Sequence, residues 1–179
     1  MTKARTLADF NTTSIDPALL DDTGTIPSAL LAGVGGGDNT PAFHAYSPDS
    51  FQGIASATDV TVDVSNERFD TDNAFNTSTK RFTPQTAGKY FVYGNVVLDG
   101  NWTAYARLYL ALNGNTSGGD TLSCHGSGDG NDGIHVSGII EMNGSSDFVE
   151  LMIRHDFGGN RNLWDSGQVN YFGAYKIAE

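Results

Sequence analysis

Four histidines are the side chains of this sequence best suited to acid–base catalysis or metal binding, because imidazole titrates near neutral pH and binds transition metals. They are His44, His125, His135 and His155. No two stand at the His-x-His or His-x-x-x-His spacing that places two rings on one metal. His135 and His155 fall in alternating segments, where half-exposed strand positions explain them. The sequence also lacks a Gly-x-Ser-x-Gly motif and a glycine-rich loop leading into Lys-Ser/Thr, so we expect no enzymatic activity.

An acidic, glycine-rich segment offers oxygen ligands of the kind that calcium prefers. It contains Asp120, Asp129 and Asp132. The segment lacks the acidic spacing and the downstream bidentate glutamate of a calcium-binding loop. A solvated hairpin loop is the favoured interpretation. Calcium stays the single cofactor candidate, and we predict no other.

Two tryptophans lie beside Gly, Asn and Asp in predicted loops. Trp102 follows Asn101, and Trp164 stands in the segment Asn-Leu-Trp-Asp-Ser. Loop tryptophans can stack on sugars or anchor a protein partner, since the indole presents a large apolar face with one polar group. The alternative is that both rings cap the end of a β-barrel.

Charge and composition limit the classes of molecule that this protein can bind. Ten basic residues against 21 acidic ones give a net charge of −11 over 179 residues. A field of this sign repels nucleic-acid phosphates and anionic membranes. No apolar run approaches the roughly 18 residues of a membrane-spanning helix, and the first residues lack a secretory signal. We expect a soluble protein made in a cytoplasm, with Cys124 as a small apolar strand residue.

The chain divides into two regions of different character. Residues 1–40 show no sustained periodicity, and near their end Gly35-Gly-Gly37 forms a glycine-rich, flexible linker. Such an arm either remains a disordered tail or orders when its apolar residues bind a partner. The candidate anchoring residues are Leu7, Phe10, Ile15, Leu19, Leu20, Ile26, Leu30 and Leu31.

Residues 41–179 read as all-β. Residues 103–112 alternate between an Ala/Leu face and a polar and aromatic face, and Asn113-Gly114 then marks a hairpin turn. Eight to ten short antiparallel strands at this spacing indicate a sandwich or a barrel. Six phenylalanines are assigned to its core: Phe43, Phe75, Phe82, Phe91, Phe148 and Phe172.

An aromatic ladder in this region resembles the signature of the globular head of the first complement component and its tumour-necrosis-factor relatives. The matching positions are Asp70, Phe75, Phe82, Gly88 and Tyr90, and the departures from the family's aromatics are Val64, Val92 and Gly94. The resemblance covers roughly residues 41–179 and selects a jelly-roll β-sandwich, preceded here by the extended N-terminal arm. It also implies a tight threefold trimer formed through one sheet.

Four tyrosines are the predicted residues of that trimer interface. Tyr105 and Tyr109 share the face opposite the Ala/Leu side of their strand, and Tyr171 and Tyr175 pair in the same way near the end of the chain. Tyrosine is favoured at protein interfaces because it joins an apolar body to a polar tip. The alternative is that these tyrosines are scattered over the surface.

The opening residues Lys3–Phe10 are similar to the openings of phage fibre and head-decoration proteins. Together with the jelly roll, this similarity predicts a non-enzymatic, homotrimeric phage protein at the virion surface, of the capsid-decoration or head-fibre type. The arm would anchor to capsid or tail proteins, and the head would bind host glycans or stabilise the capsid. The alternatives are a tail-fibre tip, a receptor-binding module, or a free module recognising carbohydrate or protein.

Overall fold

Antiparallel strands and the turns between them make up the described part of the chain. The computed structural model describes residues 39–100, 102–117, 122–128, 133–164 and 168–179; for residues 102–104 and 122–128 it describes the backbone alone. Residues 39–179 form one compact unit. None of the described residues belongs to a helix long and apolar enough to cross a membrane. The predicted anchoring residues all lie outside the described residues.

The strands follow one another at short intervals, as the turn-rich sequence predicts. In chain order they are β1 (Ala42–Tyr46), β2 (Gly53–Ile54), β3 (Val60–Thr61), β4 (Asn66–Asp70), β5 (Phe75–Asn76), β6 (Arg81–Phe82), β7 (Gly88–Val97), β8 (Trp102–Leu112), β9 (Leu122–Gly128), β10 (Gly133–Met142), β11 (Val149–His155), β12 (Arg161–Asn162) and β13 (Tyr171–Ala178). Within the described residues, eight of these strands span five residues or more and supply most of the two large sheets.

Two large sheets define the architecture. One has the strand order β10-β7-β13-β1-β4, and the other has the order β5-β6-β11-β8-β9, with β3 paired to β11. The closing strand β13 lies between β7 and the opening strand β1, antiparallel to both. This return of the last strand to the first confirms the predicted all-β jelly roll.

The aromatic ladder of the sequence fills the space between the sheets. The ring of Phe43 in β1 stacks on Phe75 at 4.5 Å and on Phe82 at 4.6 Å, and Phe172 meets it edge-on at 5.0 Å. These four rings are buried, as predicted. Each contributes on the order of 1.5–3 kcal/mol by leaving water. Phe91 and Phe148 are half-buried, so their assignment to the core is wrong.

The polar and glycine positions of the ladder have structural roles. An oxygen of the Asp70 carboxylate accepts a hydrogen bond from the Phe75 backbone N–H at 2.7 Å, closing the turn between β4 and β5. The buried Tyr90 donates its hydroxyl to the Thr86 carbonyl at 2.7 Å. Gly88 has φ of 147°, and a Cβ there would collide with the Ala178 carbonyl of the closing strand. This approach of β7 to β13 therefore requires glycine.

Candidate self-association surface

The outward side of the five-stranded sheet carries a band of aromatic side chains. Strand β7 shows how it arises: Tyr90 and Val92 point into the core, so the intervening Phe91 and Tyr93 point outward. The neighbouring strands add rings at matching positions. We define the aromatic face as His44, Tyr46, Phe69, Phe91, Tyr93, Ile139, Tyr171 and Tyr175.

Strand register brings these residues together from distant parts of the sequence. Ile139 of β10 pairs with Phe91 of β7, which pairs with Tyr175 of β13. In the next row, Tyr93 pairs with Gly173, and Gly173 pairs with His44. Directly opposed residues on one side of a sheet interact. The face is therefore continuous across all five strands.

Tyr93 lies at the centre of the aromatic face. Its ring centroid is 6.0 Å from that of Phe91, 6.2 Å from Tyr171 and 6.1 Å from His44. A Cβ at position 173 would collide with the phenol ring of Tyr93, so Gly173 lets that ring cross strand β13. The Tyr93 hydroxyl lies 3.1 Å from Nδ1 of His44, a hydrogen bond that joins β7 to β1 across β13.

The two polar groups at this centre are held in their neutral forms. Burial raises the pKa of Tyr93, and the neighbouring Tyr171 and Tyr175 add to the effect. Burial also lowers the pKa of His44, with the positive charge of Arg68 acting in the same direction. Desolvation disfavours the charged form of each group. The centre of the face is thus uncharged near neutral pH.

Several of the outermost side chains expose large apolar areas. Ile139 is 60% exposed and Phe69 is 47% exposed, while Tyr175 and the adjoining Ile177 are 36% and 41% exposed. A contiguous apolar patch of this kind, with charged residues such as Lys89 and Glu141 at its edge, is typical of a protein–protein interface.

The four predicted interface tyrosines do not form one surface. Tyr171 and Tyr175 lie on the aromatic face, whereas Tyr105 and Tyr109 lie on β8, in the other sheet. Tyr105 is 41% exposed, but Tyr109 is only 2% exposed. Tyr109 sits opposite Met152 and beneath the Arg107 guanidinium, which is 5.6 Å from its ring centroid. The expectation that both β8 tyrosines would be exposed is therefore wrong for Tyr109.

Sequence reasoning missed most of the aromatic face, although one signal could have found part of it. Tyr90 belongs to the family signature and points inward. A period of two then places Phe91 and Tyr93 on the outward side. No local pattern predicts His44 and Phe69 as part of this face, because the pairing of β1 with β4 brings them there.

Of the two tryptophans predicted to contact a ligand, the structure describes the side chain of Trp164 alone. Trp164 is half-buried; its backbone N–H donates to the Val97 carbonyl at 2.8 Å, and its carbonyl accepts from the buried Asn170 side chain at 2.5 Å. These bonds hold its backbone against the end of β7. Trp102 begins β8, and its side chain is not among those described.

The remaining candidates concern metal binding. Asp120, Asp129 and Asp132 lie outside the described residues. His155 is fully buried, not half-exposed, and one ring nitrogen lies 2.9 Å from the Ile54 carbonyl, while His135 is exposed. Among the side chains that the structure describes, no three of His, Cys, Asp and Glu lie close enough together to hold a metal ion.

Comparison with solved structures identifies the class of fold. The chain is similar to the globular domain of zebrafish complement 1qA protein, with a TM-score of 0.52 and 18% identity over 78% of this chain and 99% of that one. Murine APRIL at pH 8.0 gives a TM-score of 0.56 and 13% identity over 75% and 97%. Eiger, a tumour necrosis factor from S. frugiperda, gives 0.52 and 16% over 77% and 92%. The sequence matches no family model and no curated protein.

These likenesses define the head as a jelly roll of the complement and tumour-necrosis-factor type. At 18% identity or less they establish the fold and leave the activity to be argued from the surface itself.

Proposed function

We propose that this chain is a non-enzymatic phage virion surface protein that assembles as a homotrimer through its aromatic face. Its N-terminal arm anchors it to the particle, and its jelly-roll head projects for adhesion or capsid stabilisation. Capsid decoration or a head fibre is the preferred placement.

The aromatic face is the observation that carries the trimer. Copies of a chain with a net charge of −11 repel one another, so a stable contact must avoid opposing carboxylates. The centre of this face presents aromatic rings, a neutral histidine and a glycine. Covering its half-exposed rings with a second copy removes apolar surface from water and so favours association. The face is also one side of one sheet, in agreement with the threefold assembly that the sequence resemblance implies.

The virion placement is supported by the sequence of the arm. Residues 3–10 are similar to the openings of phage structural proteins, and the isolated apolar residues that follow suit binding in surface grooves. The compact head begins at Asn39, just after the glycine-rich linker.

Measuring the mass of the intact protein in solution, alone and with empty phage capsids, tests both parts. We expect three times the 19.0 kDa of one chain, and co-sedimentation with capsids. Deleting residues 1–36 should preserve the trimer and abolish co-sedimentation. A monomer would refute the assembly, and a truncated protein that still bound capsids would refute the anchor.

A free recognition module is the second candidate, favoured by the similarity of the head to complement and tumour-necrosis-factor domains. A trimer that ignores capsids but binds glycan or protein ligands would support it.

A further inference from the structure

One histidine lies inside the aromatic face. The ring of His44 is half-buried, 5.6 Å from the ring of Tyr171 and 6.4 Å from that of Phe69, and nearly parallel to both. Its Nδ1 lies 3.1 Å from the Tyr93 hydroxyl. In the neutral ring, Nδ1 can accept the hydroxyl proton of Tyr93 while Nε2 carries the hydrogen.

Among the residues that the structure describes, the groups that face His44 offer no negative charge to balance a protonated ring. From β7 and β13 it meets Tyr93 and Tyr171, and its own strand adds Tyr46. Strand β4 contributes Phe69 and the cation of Arg68, which lies 5.7 Å from the centroid of the Tyr46 ring.

The nearby carboxylates of β4 lie on the other side of the sheet. Glu67 pairs with Ala45 and Asp70 pairs with Phe43, and both partners point into the core. Because cross-strand partners share a side, these acidic residues do not face His44. The register shift between His44 and Ala45 leaves Arg68 without a partner in β1, and its guanidinium lies over the ring of Tyr46, which is on the same side as His44.

We infer that His44 makes self-association through the aromatic face sensitive to pH, with the neutral ring permitting assembly and the protonated ring driving the copies apart. This inference rests on the proposed trimer. A second copy covering the face would remove water from the imidazolium and supply uncharged rings in its place.

The direction of the pH effect follows from linkage. Burial, and then Arg68, already lowers the pKa of His44 in the folded chain below its usual 6.5. The unfolded chain therefore binds more protons than the folded protomer. The contribution of His44 to the free energy of unfolding is thus complete above pH 6.5 and declines as the pH falls toward the pKa of the folded protomer. Assembly lowers the pKa further in the same direction. Where the pH lies below the pKa of both the free and the assembled protomer, each further unit of lowering weakens association about tenfold per protomer, or roughly a thousandfold for three.

Sedimentation of the full-length protein at pH 7.5 and pH 5.0 tests the inference. We expect a trimer at pH 7.5 whose affinity falls between pH 6.5 and pH 5.0, by up to about tenfold per protomer for each pH unit below the His44 pKa of the free protomer. His44→Gln cannot be protonated and should associate equally at both values. His135→Gln changes an exposed histidine on the same outward side of the sheet, in the row of Tyr171; if the pH dependence were lost in this variant and kept in His44→Gln, the inference would be overturned.

Arg68→Gln gives a second test that does not alter His44. Arg68 is exposed, so the fold should tolerate the change. Removing its charge should move the midpoint of dissociation to higher pH.

Each contrary result has a distinct meaning. A trimer whose affinity is unchanged at pH 5.0, or a pH dependence retained in His44→Gln, would overturn the inference and leave the proposed trimer intact. Loss of the near-ultraviolet circular dichroism signal at pH 5.0 would assign the dissociation to unfolding and would also overturn it. A monomer at pH 7.5 would refute the trimer and the inference together.

Discussion

The side chains on the outward sides of the two large sheets make different kinds of contact. On the six-stranded sheet, the buried Glu150 pairs with Arg81 at 3.3 Å, and Arg107 lies over the rings of Tyr105 and Tyr109. On the five-stranded sheet, Phe91 and Tyr93 contact other rings, and the central hydrogen bond joins two neutral groups.

The difference shows which side would be stabilised by binding a second copy of the chain. The described ion pairs on the six-stranded sheet, Arg81 with Glu150 and Arg154 with Asp59, lie within one protomer, so covering them would require desolvating ion pairs for little return. The aromatic face has no such pairs at its centre and leaves apolar area in water. Substitutions matched between the two sides can therefore break or sharpen the comparison.

The largest effect is expected when a charge is placed on the aromatic face. Ile139 is 60% exposed, so Ile139→Asp should leave the protomer folded. Assembly would bury an unpaired carboxylate at a cost of several kcal/mol, which weakens association more than a thousandfold. Sedimentation should show a monomer. The matched change Tyr105→Asp, at a residue 41% exposed on the other sheet, should leave the trimer unchanged.

The next effect concerns the stability of the six-stranded sheet. Arg81→Ala removes the partner of Glu150, which is 4% exposed, and also the cation 4.0 Å from the Phe148 ring. Because the Arg81 side chain is 44% exposed and water partly screens the pair, we expect a loss of about 1–2 kcal/mol in the free energy of unfolding. Denaturant unfolding measures it.

A weaker ion pair on the same side provides the control for this change. Arg154 and Asp59 are 3.9 Å apart and each is 31% exposed, so Arg154→Ala should cost less than about 1 kcal/mol. Equal losses of stability in the two variants would contradict the expectation that burial of Glu150 makes the loss of its partner more costly.

The sequence predicted the inside of the jelly roll better than its outside. Phe75 and Phe82 stand at spacings that one chain segment specifies, and both are buried as expected. Residue type also identified Tyr171 and Tyr175 correctly as outward residues of the closing strand.

The failures have two physical causes. Alternation predicts which side of a strand a residue occupies, but not whether something covers that side, and Tyr109 is covered. The aromatic face joins β1, β7 and β13, whose adjacency depends on long-range topology, so the contact of His44 with Tyr93, 49 residues apart, had no local signal.

A further test of the comparison trims one ring on each side. Tyr175→Ser removes a ring 36% exposed on the aromatic face, and Tyr105→Ser removes one 41% exposed on the six-stranded sheet. The first should weaken association roughly ten- to a hundredfold, since truncating a buried interface aromatic costs about 1–3 kcal/mol. The second should not change it. Equal weakening, measured by sedimentation over a concentration series, would place both sides in the interface.

The smallest effect is expected from removing single hydroxyls. Tyr93→Phe deletes the group bonded to Nδ1 of His44, and Tyr109→Phe deletes the acceptor of an Arg107 Nη1 hydrogen bond of 3.4 Å. Each should cost about 0.5–1.5 kcal/mol of protomer stability, with the longer bond at the lower end. Only Tyr93→Phe should also change the pH dependence, because the hydroxyl supports the neutral form of His44. In the tautomer in which Nδ1 accepts the hydroxyl proton, losing this hydrogen bond should raise the His44 pKa and move acid dissociation to higher pH. A midpoint unchanged in Tyr93→Phe would show that this hydrogen bond does not stabilise the neutral ring.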